Sequence, residues 1–246
     1  MISTADFYDP RFFLRYIMRY SAIIPAGGSS SRYSAGNKLF QILNGKPVIL
    51  YAVIQFRKFC RDQDIVIPVH KDFLSQTNDL LSEYLPGNKI QLVPGGADRT
   101  RSVLNAVESL SPGCDLTAVH DAARPLIREE TILSVYNAAE IHSAAAAARP
   151  VTNTLKQIEG GLLSSGSIRR ETIWEIETPQ TFLTDLLRKS LQKTVSENLS
   201  FTDDSAAVEY FSGIKTFPVQ PEEINLKITH FSDFSLADAL IKLQNS

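Results

Sequence analysis

Cysteine is scarce in this chain, which limits both the fold and the chemistry that the sequence can support. Only Cys60 and Cys114 occur among 246 residues, and their spacing matches neither a metal-binding motif nor a disulfide framework. We therefore expect two reduced thiols in a cytoplasmic protein. The four histidines do not cluster along the sequence either, and we predict a catalytic role for none of them.

Long apolar runs and an excess of positive charge are also lacking. No apolar run reaches the ~18 residues that a membrane-spanning helix needs, so we predict no membrane association. Lysine and arginine together number 25 against 27 aspartates and glutamates, giving a formal net charge of −2. A general nucleic-acid binder usually carries a strongly basic face, and we expect no nucleic-acid partner. A local basic pocket is still compatible with this balance.

Residues 1–20 form a distinct N-terminal segment. The stretch "RFFLRYIMRY" spaces three arginines four residues apart among aromatic and aliphatic residues. Such a pattern suits a targeting helix, but Asp6 and Asp9 are unusual in one. We favour an N-terminal extension or an upstream start codon, and plastid-type targeting stays open.

Beyond Ser21 the sequence alternates between short β-like runs and helical patterns. Such alternation predicts an α/β fold of βαβ units: a Rossmann-like, mostly parallel twisted sheet with helices on both faces. The alanine run within 143–151 could extend the preceding helix, but its position before "RPV" favours a buried strand. The predicted strands cover residues 21–25, 64–70, 89–96, the start of 116–125, 143–151 and 214–220, and the predicted helices cover 48–59, 73–84, 101–110, 129–142, 181–193, 203–211 and 232–243.

The pattern changes at residues 152–177, where short alternating runs flank the Gly160–Gly161 turn. This predicts a long β-hairpin arm that projects from a single domain spanning residues 21–246. A surface flap on a monomer is the simpler alternative. Trp174, near the end of the arm, is expected to pack at its base or at a dimer contact rather than to stack on a ligand.

A Gly/Ser-rich turn follows the first predicted strand, in "AIIPAGGSSSRYSAGNKLF". Gly27 and Gly28 would let backbone N–H groups approach a phosphate or a base edge. Arg32 and Lys38 could then neutralise phosphate charge. The turn alone is equally consistent with a tight connection. It matches neither GxxxxGK[ST] nor GxGxxG, which disfavours a hydride-transferring dinucleotide enzyme.

Four further polar segments follow predicted strands or begin predicted helices. Each has an ordinary structural explanation as a turn, an ion pair, a helix cap or a surface strand. Ligands bind beyond the carboxyl ends of strands in an open parallel sheet, so their joint occurrence favours one shared site. The segments are "PGGADRTRSV" with Ser102, "VHDAARP" with Asp121 and Arg124, "TDDSAAVE" with Thr202 as the expected helix cap, and "NLKIT" with Lys227.

The order and spacing of these motifs resemble the 2-C-methyl-D-erythritol 4-phosphate cytidylyltransferase family, over about residues 21–243. The resemblance rests on "PAGGSSSRY…NKLF…NGKPVI", "GGADRTRSV", "VHDAARP", "PVTNTLK", "RRETIWEIETPQTF", "FTDDSAAVE" and "NLKIT". It implies a reaction of CTP with a sugar-alcohol phosphate that gives a CDP-linked product and pyrophosphate, with Mg²⁺. It also implies a homodimer that exchanges its arms, so that each arm completes the partner's site.

The same resemblance assigns roles to individual residues but gives no metal ligands. Cations that would stabilise the transition state or orient the phosphates are Arg32, Lys38, Lys227 and Arg170. The implied nucleotide pocket consists of Ala26, Gly27, Gly28, Gly96, Ser102, Asp121 and Ala122. The implied acceptor site consists of Asp121, Arg124, Thr154, Arg170, Thr178 and Thr202.

Three departures from the family pattern bear on these roles, one being that Ser29–Ser31 make the turn after the first strand less glycine-rich, which should cost some backbone freedom. Asn37 stands where a proline usually precedes the lysine, in a loop one residue shorter than usual, so Lys38 is expected to be held less firmly. Asn153 stands where an aspartate is usual. Two alternative functions are kept: a cytidylyltransferase for another polyol phosphate such as ribitol 5-phosphate, and a non-catalytic nucleotide-binding module on the same fold.

Overall fold

The computed structural model describes residues 18–27, 37–164, 166 and 168–244. Within these ranges the predicted alternation of strands and helices is confirmed. The strands are β1 (Tyr20–Ile23), β2 (Ile42–Leu43), β3 (Lys46–Pro47), β4 (Ile65–Val69), β5 (Gln91–Pro94), β6 (Leu116–Val119), β7 (Ala144–Pro150), β8 (Ile158–Glu159), β9 (Leu162–Leu163), β10 (Trp174–Leu183) and β11 (Phe217–Val219).

Helices connect most of these strands, and local sequence signals explain several of their ends. Asp98 and Asp203 accept hydrogen bonds from the first turns of two helices, as N-capping aspartates do. Ser143 and Gly213 end two helices in the left-handed conformation, a common helix stop. The helices are α1 (Val48–Phe56), α2 (Leu74–Tyr84), α3 (Arg99–Ser109), α4 (Glu129–His142), α5 (Thr184–Ser196), α6 (Asp204–Ser212) and α7 (Phe231–Gln244).

Some predicted boundaries were wrong. α1 ends at Phe56 rather than at residue 59. The helix predicted to begin at Thr181 begins at Thr184, because residues 181–183 finish β10 and pair with β6 and β7. Tertiary pairing therefore overrode the local helical pattern at that boundary.

Seven strands form one sheet in the order β11–β7–β10–β6–β1–β4–β5. Only β10 runs antiparallel to its neighbours among these strands, so the predicted mostly parallel sheet is confirmed. The chain builds β1, β4 and β5 outward in one direction and then returns to place β6 on the other side of β1. The loops after β1 and β6 therefore meet at a topological switch point, where open α/β sheets bind ligands.

The core lies on both faces of this sheet. Ala22 and Ile24 contribute to one buried cluster and Ile23 to the other, because successive side chains of a strand point to opposite faces. The five alanines Ala144–Ala148 are also buried within β7. This confirms the strand interpretation of the alanine run over the helical one.

The predicted arm corresponds to the segment between β7 and β10. β8 and β9 pair as a hairpin, and Gly160 and Gly161 adopt positive φ angles of 59° and 82° at its turn, as a type I′ turn requires. Trp174 pairs with Pro150, so the last residues of the predicted arm already belong to the main sheet.

Candidate active site

The polar loops predicted from sequence gather at the carboxyl ends of β1, β5 and β6. Ala26 follows β1 and donates its backbone N–H to the Pro68 carbonyl, 2.9 Å away. A Cβ atom on Gly27 would lie 3.7 Å from Ser102 Oγ, so the loop after β1 adjoins the start of α3. The predicted residues Gly28 and Arg32 lie outside the described residues.

The loop from Gly95 to Ser102 is folded around the Ser102 hydroxyl. Ser102 Oγ donates to the Asp98 carbonyl at 2.7 Å and accepts the Gly96 N–H at 3.0 Å. A Cβ on Gly96 would lie 2.3 Å from Arg101 Cβ, so this close approach to α3 requires glycine. The loop thus offers backbone N–H and C=O groups, and Ser102 Oγ keeps one lone pair that can accept a further hydrogen bond. Such a mixture of donors and acceptors suits the polar edge of a nucleobase.

Asp121 lies at the centre of a charged cluster after β6. Its Oδ2 accepts from Lys227 Nζ at 2.7 Å, while Arg99 Nε is 3.7 Å from Oδ1 and Arg124 Nε is 3.8 Å from Oδ2. Burial alone would raise the pKa of Asp121. The charges of Lys227, Arg99 and Arg124, together with the lysine hydrogen bond, lower it to about 2. The carboxylate is therefore ionised at neutral pH.

Lys38 contacts the segment that carries Lys227. Its Nζ donates to the Ile228 carbonyl at 2.6 Å, and Ile228 in turn donates its N–H to the Ala123 carbonyl at 2.8 Å. The Lys38 ammonium group is thus held at Ile228, the residue that follows Lys227, in a segment that is docked on Ala123. Asn37 caps the 3₁₀ turn Lys38–Phe40 by accepting from the Leu39 N–H; the expectation that Lys38 is held less firmly than in the family pattern stays a prediction.

Arg99 and Asp204 belong to the cluster but were not predicted as site residues. Arg99 NH1 lies 2.7 Å from Asp204 Oδ2, and the Asp204 side chain is buried. Burial raises the pKa of Asp204 above its usual value, and the charge of Arg99 opposes this only in part. Arg99 lies in the motif "GGADRTRSV" and Asp204 in "TDDSAAVE". An arginine and an aspartate at the starts of two predicted helices were therefore the only sequence features that could have indicated this pair.

Thr178 supports the loop after β6 from β10. Its Oγ1 accepts the Asp121 N–H at 3.0 Å and lies 3.3 Å from His120 Nδ1. His120 Nε2 is 3.2 Å from the Arg124 carbonyl. A carbonyl only accepts, so Nε2 carries the proton and Nδ1 accepts from the threonine hydroxyl. Burial lowers the pKa of His120 to about 4, and the ring is neutral at neutral pH.

Arg124 braces the segment that carries Lys227. Its NH1 donates to the Asn225 carbonyl at 2.6 Å, and its side chain is only 12 % exposed. Asn225 also donates to Glu177 Oε2 and to the Thr178 carbonyl, each at 2.8 Å. In this structure Arg124 and Thr178 therefore contact protein groups, and their predicted contact with the acceptor stays a prediction.

The remaining predicted residues are Ala122, Thr154, Arg170 and Thr202. Thr154 and Arg170 are exposed on the arm, where Arg170 NH1 donates to the Thr152 carbonyl at 2.6 Å. Ala122 is buried, so only its backbone can face a ligand. The helix-cap prediction for Thr202 was wrong: Asp203 caps α6, since its carboxylate is the one that reaches the Ala206 N–H.

Comparison of the sequence with known proteins identifies the family to which this chain belongs. Residues 20–243 match the family model of 2-C-methyl-D-erythritol 4-phosphate cytidylyltransferase (IspD). The chain belongs to this family. A relative of that name from Solibacter usitatus is 32 % identical over 236 residues, covering 92 % of this chain and 96 % of its own. One from Bacillus velezensis is 31 % identical over 229 residues, covering 93 % and 98 %.

Solved structures of the family share the fold. The crystal structure of 4-diphosphocytidyl-2C-methyl-D-erythritol synthase from Anaerococcus prevotii superposes with a TM-score of 0.79 at 27 % identity, over 92 % of this chain and 96 % of that one. The family resemblance predicted from the motifs is thereby confirmed.

Neither a protein-built metal centre nor a membrane span is found in the part of the chain that the structure describes. No group of three or more histidine, cysteine, aspartate or glutamate side chains there could hold a metal ion. No described helix is both long and apolar enough to cross a membrane. Asp121 is the carboxylate nearest to Lys227, and a Mg²⁺ ion bound mainly through substrate phosphates needs only one or two carboxylates.

Proposed function

We propose that this protein transfers the cytidylyl group of CTP to 2-C-methyl-D-erythritol 4-phosphate, releasing pyrophosphate. The observation that carries the proposal is that Lys227 pairs with Asp121 after β6 while Lys38 binds the carbonyl of the next residue, Ile228, in a chain matched to this family over residues 20–243. Curated relatives and solved structures bearing the same enzyme name support it.

The chemistry needs positioned cations more than a protein nucleophile. The acceptor phosphate oxygen attacks the α-phosphorus of CTP in line, a new P–O bond forms, and pyrophosphate leaves with the electrons of the broken P–O bond. Lys227, oriented by Asp121, and Lys38, held at Ile228, would stabilise the negative charge that accumulates on the α-phosphate. Arg32 is proposed as a third cation from the loop after β1.

The loop from Gly95 to Ser102 is proposed to bind the cytosine. Backbone groups of Gly96 and the free lone pair of Ser102 Oγ match the mixed donor and acceptor edge of this base. Because the loop is pinned to α3 by the Gly96–Ser102 hydrogen bond, the pocket has little freedom to widen for a purine.

A Mg²⁺ ion is proposed to assist, with Asp121 as the protein group available to it. When bound, the ion would neutralise phosphate charge and orient the leaving group. Asp121 stays ionised through the neutral range because its pKa is about 2, so its charge is available at every pH at which the enzyme would work.

The arm is proposed to pack against a second copy of the chain. Ile158, Leu162 and Leu163 are 72–76 % exposed on the hairpin. Ile173, and Trp174 and Ile176 at the start of β10, are 37–45 % exposed. Exposed apolar residues in this number are typical of an interaction surface. Exchange of arms would bring Thr154 and Arg170 to the partner's acceptor site, and a cytoplasmic homodimer is the proposed form.

Steady-state assays test the proposal directly. Purified protein is incubated with Mg²⁺ and with CTP, UTP or ATP, and with either 2-C-methyl-D-erythritol 4-phosphate or ribitol 5-phosphate, while pyrophosphate release is measured. We expect the highest kcat/KM for CTP with the methylerythritol acceptor. A higher kcat/KM with ribitol 5-phosphate would favour the alternative acceptor, and nucleotide binding without pyrophosphate release would favour the non-catalytic module.

A further inference from the structure

Arg99 connects two carboxylates that come from different parts of the fold. It is the first residue of α3, and its guanidinium spans from Asp121, after β6, to Asp204, the first residue of α6. The two contacts use different nitrogens: Nε is 3.7 Å from Asp121 and NH1 is 2.7 Å from Asp204. The planar guanidinium contacts the two partners through separate nitrogens in a fixed geometry, whereas a lysine ammonium would have to reach both from one nitrogen atom.

Asp204 gives this arginine a fixed anchor. The Asp204 side chain is only 2 % exposed, and a buried carboxylate is costly unless it is paired. Gln180 accepts from the Ser205 N–H and donates to Asp203, at 3.1 Å and 3.0 Å, which ties the start of α6 to β10. The anchor is therefore part of the core, and its ion pair with NH1 restrains Arg99.

Asp121 lies between Arg99 and a more exposed cation, Lys227. Lys227 Nζ is 2.7 Å from Asp121, and the lysine side chain is 46 % exposed against 14 % for the aspartate. An exposed lysine has many rotamers of similar energy, and a fixed carboxylate selects among them. Any shift of Asp121 would be passed on to the ammonium group.

We infer that Arg99 is a positioning residue, held by Asp204, that aligns Asp121 and thereby Lys227 for the transfer step. This rests on the proposed function. Arg99 also lies on α3, the helix to which Gly96 and Ser102 fix the base-binding loop. Arg99 therefore lies between the proposed nucleotide pocket, on the same helix, and Lys227, which it contacts through Asp121.

The decisive experiment is a double-mutant cycle between Arg99 and Lys227. R99K, K227A and R99K/K227A are compared with wild type in single-turnover assays with excess enzyme, which resolve slow rates. Because positioning of reactive groups is worth one to two orders of magnitude, we expect R99K to lower the transfer rate about 10-fold or more in the wild-type background. In the K227A background, R99K should change the rate less than about threefold.

Two further variants separate anchoring from folding. D204N keeps the shape of the anchor without its charge, so it should lower the rate in the same direction as R99K, and its effect should largely disappear once R99K is present. R57K is the matched control, because Arg57 also forms an ion pair, with Asp62 at 2.7 Å, but belongs to no part of the proposed site. It should behave as wild type.

The possible outcomes separate this inference from the proposed function. An equal loss from R99K with and without Lys227 would overturn the inference, because a merely structural arginine acts the same in both backgrounds. A rise in the CTP Kd that accounts for the whole loss in kcat/KM would overturn it too, since Arg99 would then bind the nucleotide directly. If wild type releases no pyrophosphate from CTP and the acceptor, the proposed function itself fails.

Discussion

Lys227 donates to Asp121 across 2.7 Å, so a nearly buried carboxylate aims an ammonium group that is 46 % exposed. The two residues are 106 positions apart in the sequence. Arg99 and Arg124 also lie near Asp121, and their charges help to lower its pKa. The pair therefore joins a carboxylate surrounded by cations to an ammonium group that is open to solvent.

Replacing Lys227 by alanine is expected to lower kcat about 100-fold or more, because removal of one transition-state cation or donor typically costs 10²–10³. The Kd for CTP should change much less, since the lysine acts mainly on charge that develops during the reaction.

Pyrophosphate release and calorimetric CTP titration measure these effects of Lys227→Ala on kcat and on the CTP Kd. Lys215→Ala removes an exposed lysine near β11 and should leave both values unchanged. Equal losses in CTP binding and turnover would assign Lys227 a ground-state role instead.

Gly96→Ala is expected to weaken CTP binding by displacing the base-binding loop. The added Cβ would sit 2.3 Å from Arg101 Cβ and 2.8 Å from the Arg101 carbonyl carbon, and such overpacking costs about 1–3 kcal/mol. We expect a lower Tm and an increase of about 10-fold in the CTP Kd. Gly166→Ala is the control, as its Cβ would meet nothing closer than 3.9 Å. Unchanged CTP affinity in Gly96→Ala would separate this loop from the nucleotide pocket.

His120 should make the protein less stable as the pH falls from about 6.5 to about 4. Burial lowers its pKa to about 4, so in that range the unfolded chain binds a proton that the folded chain does not. The unfolded state binds more protons, and the free energy of unfolding therefore rises with pH, by up to about 3 kcal/mol across the window.

Urea denaturation between pH 4 and 7.5 measures this dependence in wild type and in His120→Gln. The variant should show a flatter profile, because glutamine does not titrate. His142→Gln removes an exposed histidine and should keep the wild-type slope. A His120→Gln profile as steep as that of wild type would place the titrating group elsewhere.

Mixing two inactive variants tests whether the arms are exchanged. If Arg170 acts in the partner's site, a heterodimer of Arg170→Ala and Lys227→Ala contains one site with both cations intact. An equimolar mixture that exchanges subunits freely should recover about one quarter of wild-type activity, because half of the dimers are mixed and each has one working site. No recovery in mixtures shown by light scattering to be dimeric would mean that Arg170 does not act across the interface.

Much of the fold could be predicted from sequence because its signals are local. Apolar runs bounded by turn residues gave the strands, and Asp98 and Glu129 mark helix starts that the pattern located within two residues. The boundary at Thr181 could not be predicted in this way, since its strand conformation comes from pairing with Ala118 and Ala145. Both partners are distant in sequence.

The sequence by itself determined the family, the order of strands and helices along the chain, and the types of side chain that the site has to work with. These properties follow from motif spacing and from periodicities of two and 3.6 residues. Only the tertiary structure decided that Arg99 and Asp204 join Asp121, that Thr178 bonds to His120, and that Arg124 braces Asn225. Such pairings depend on where separate strand ends and helix starts converge, and Coulomb and hydrogen-bond energies fall off with distance in space rather than along the chain.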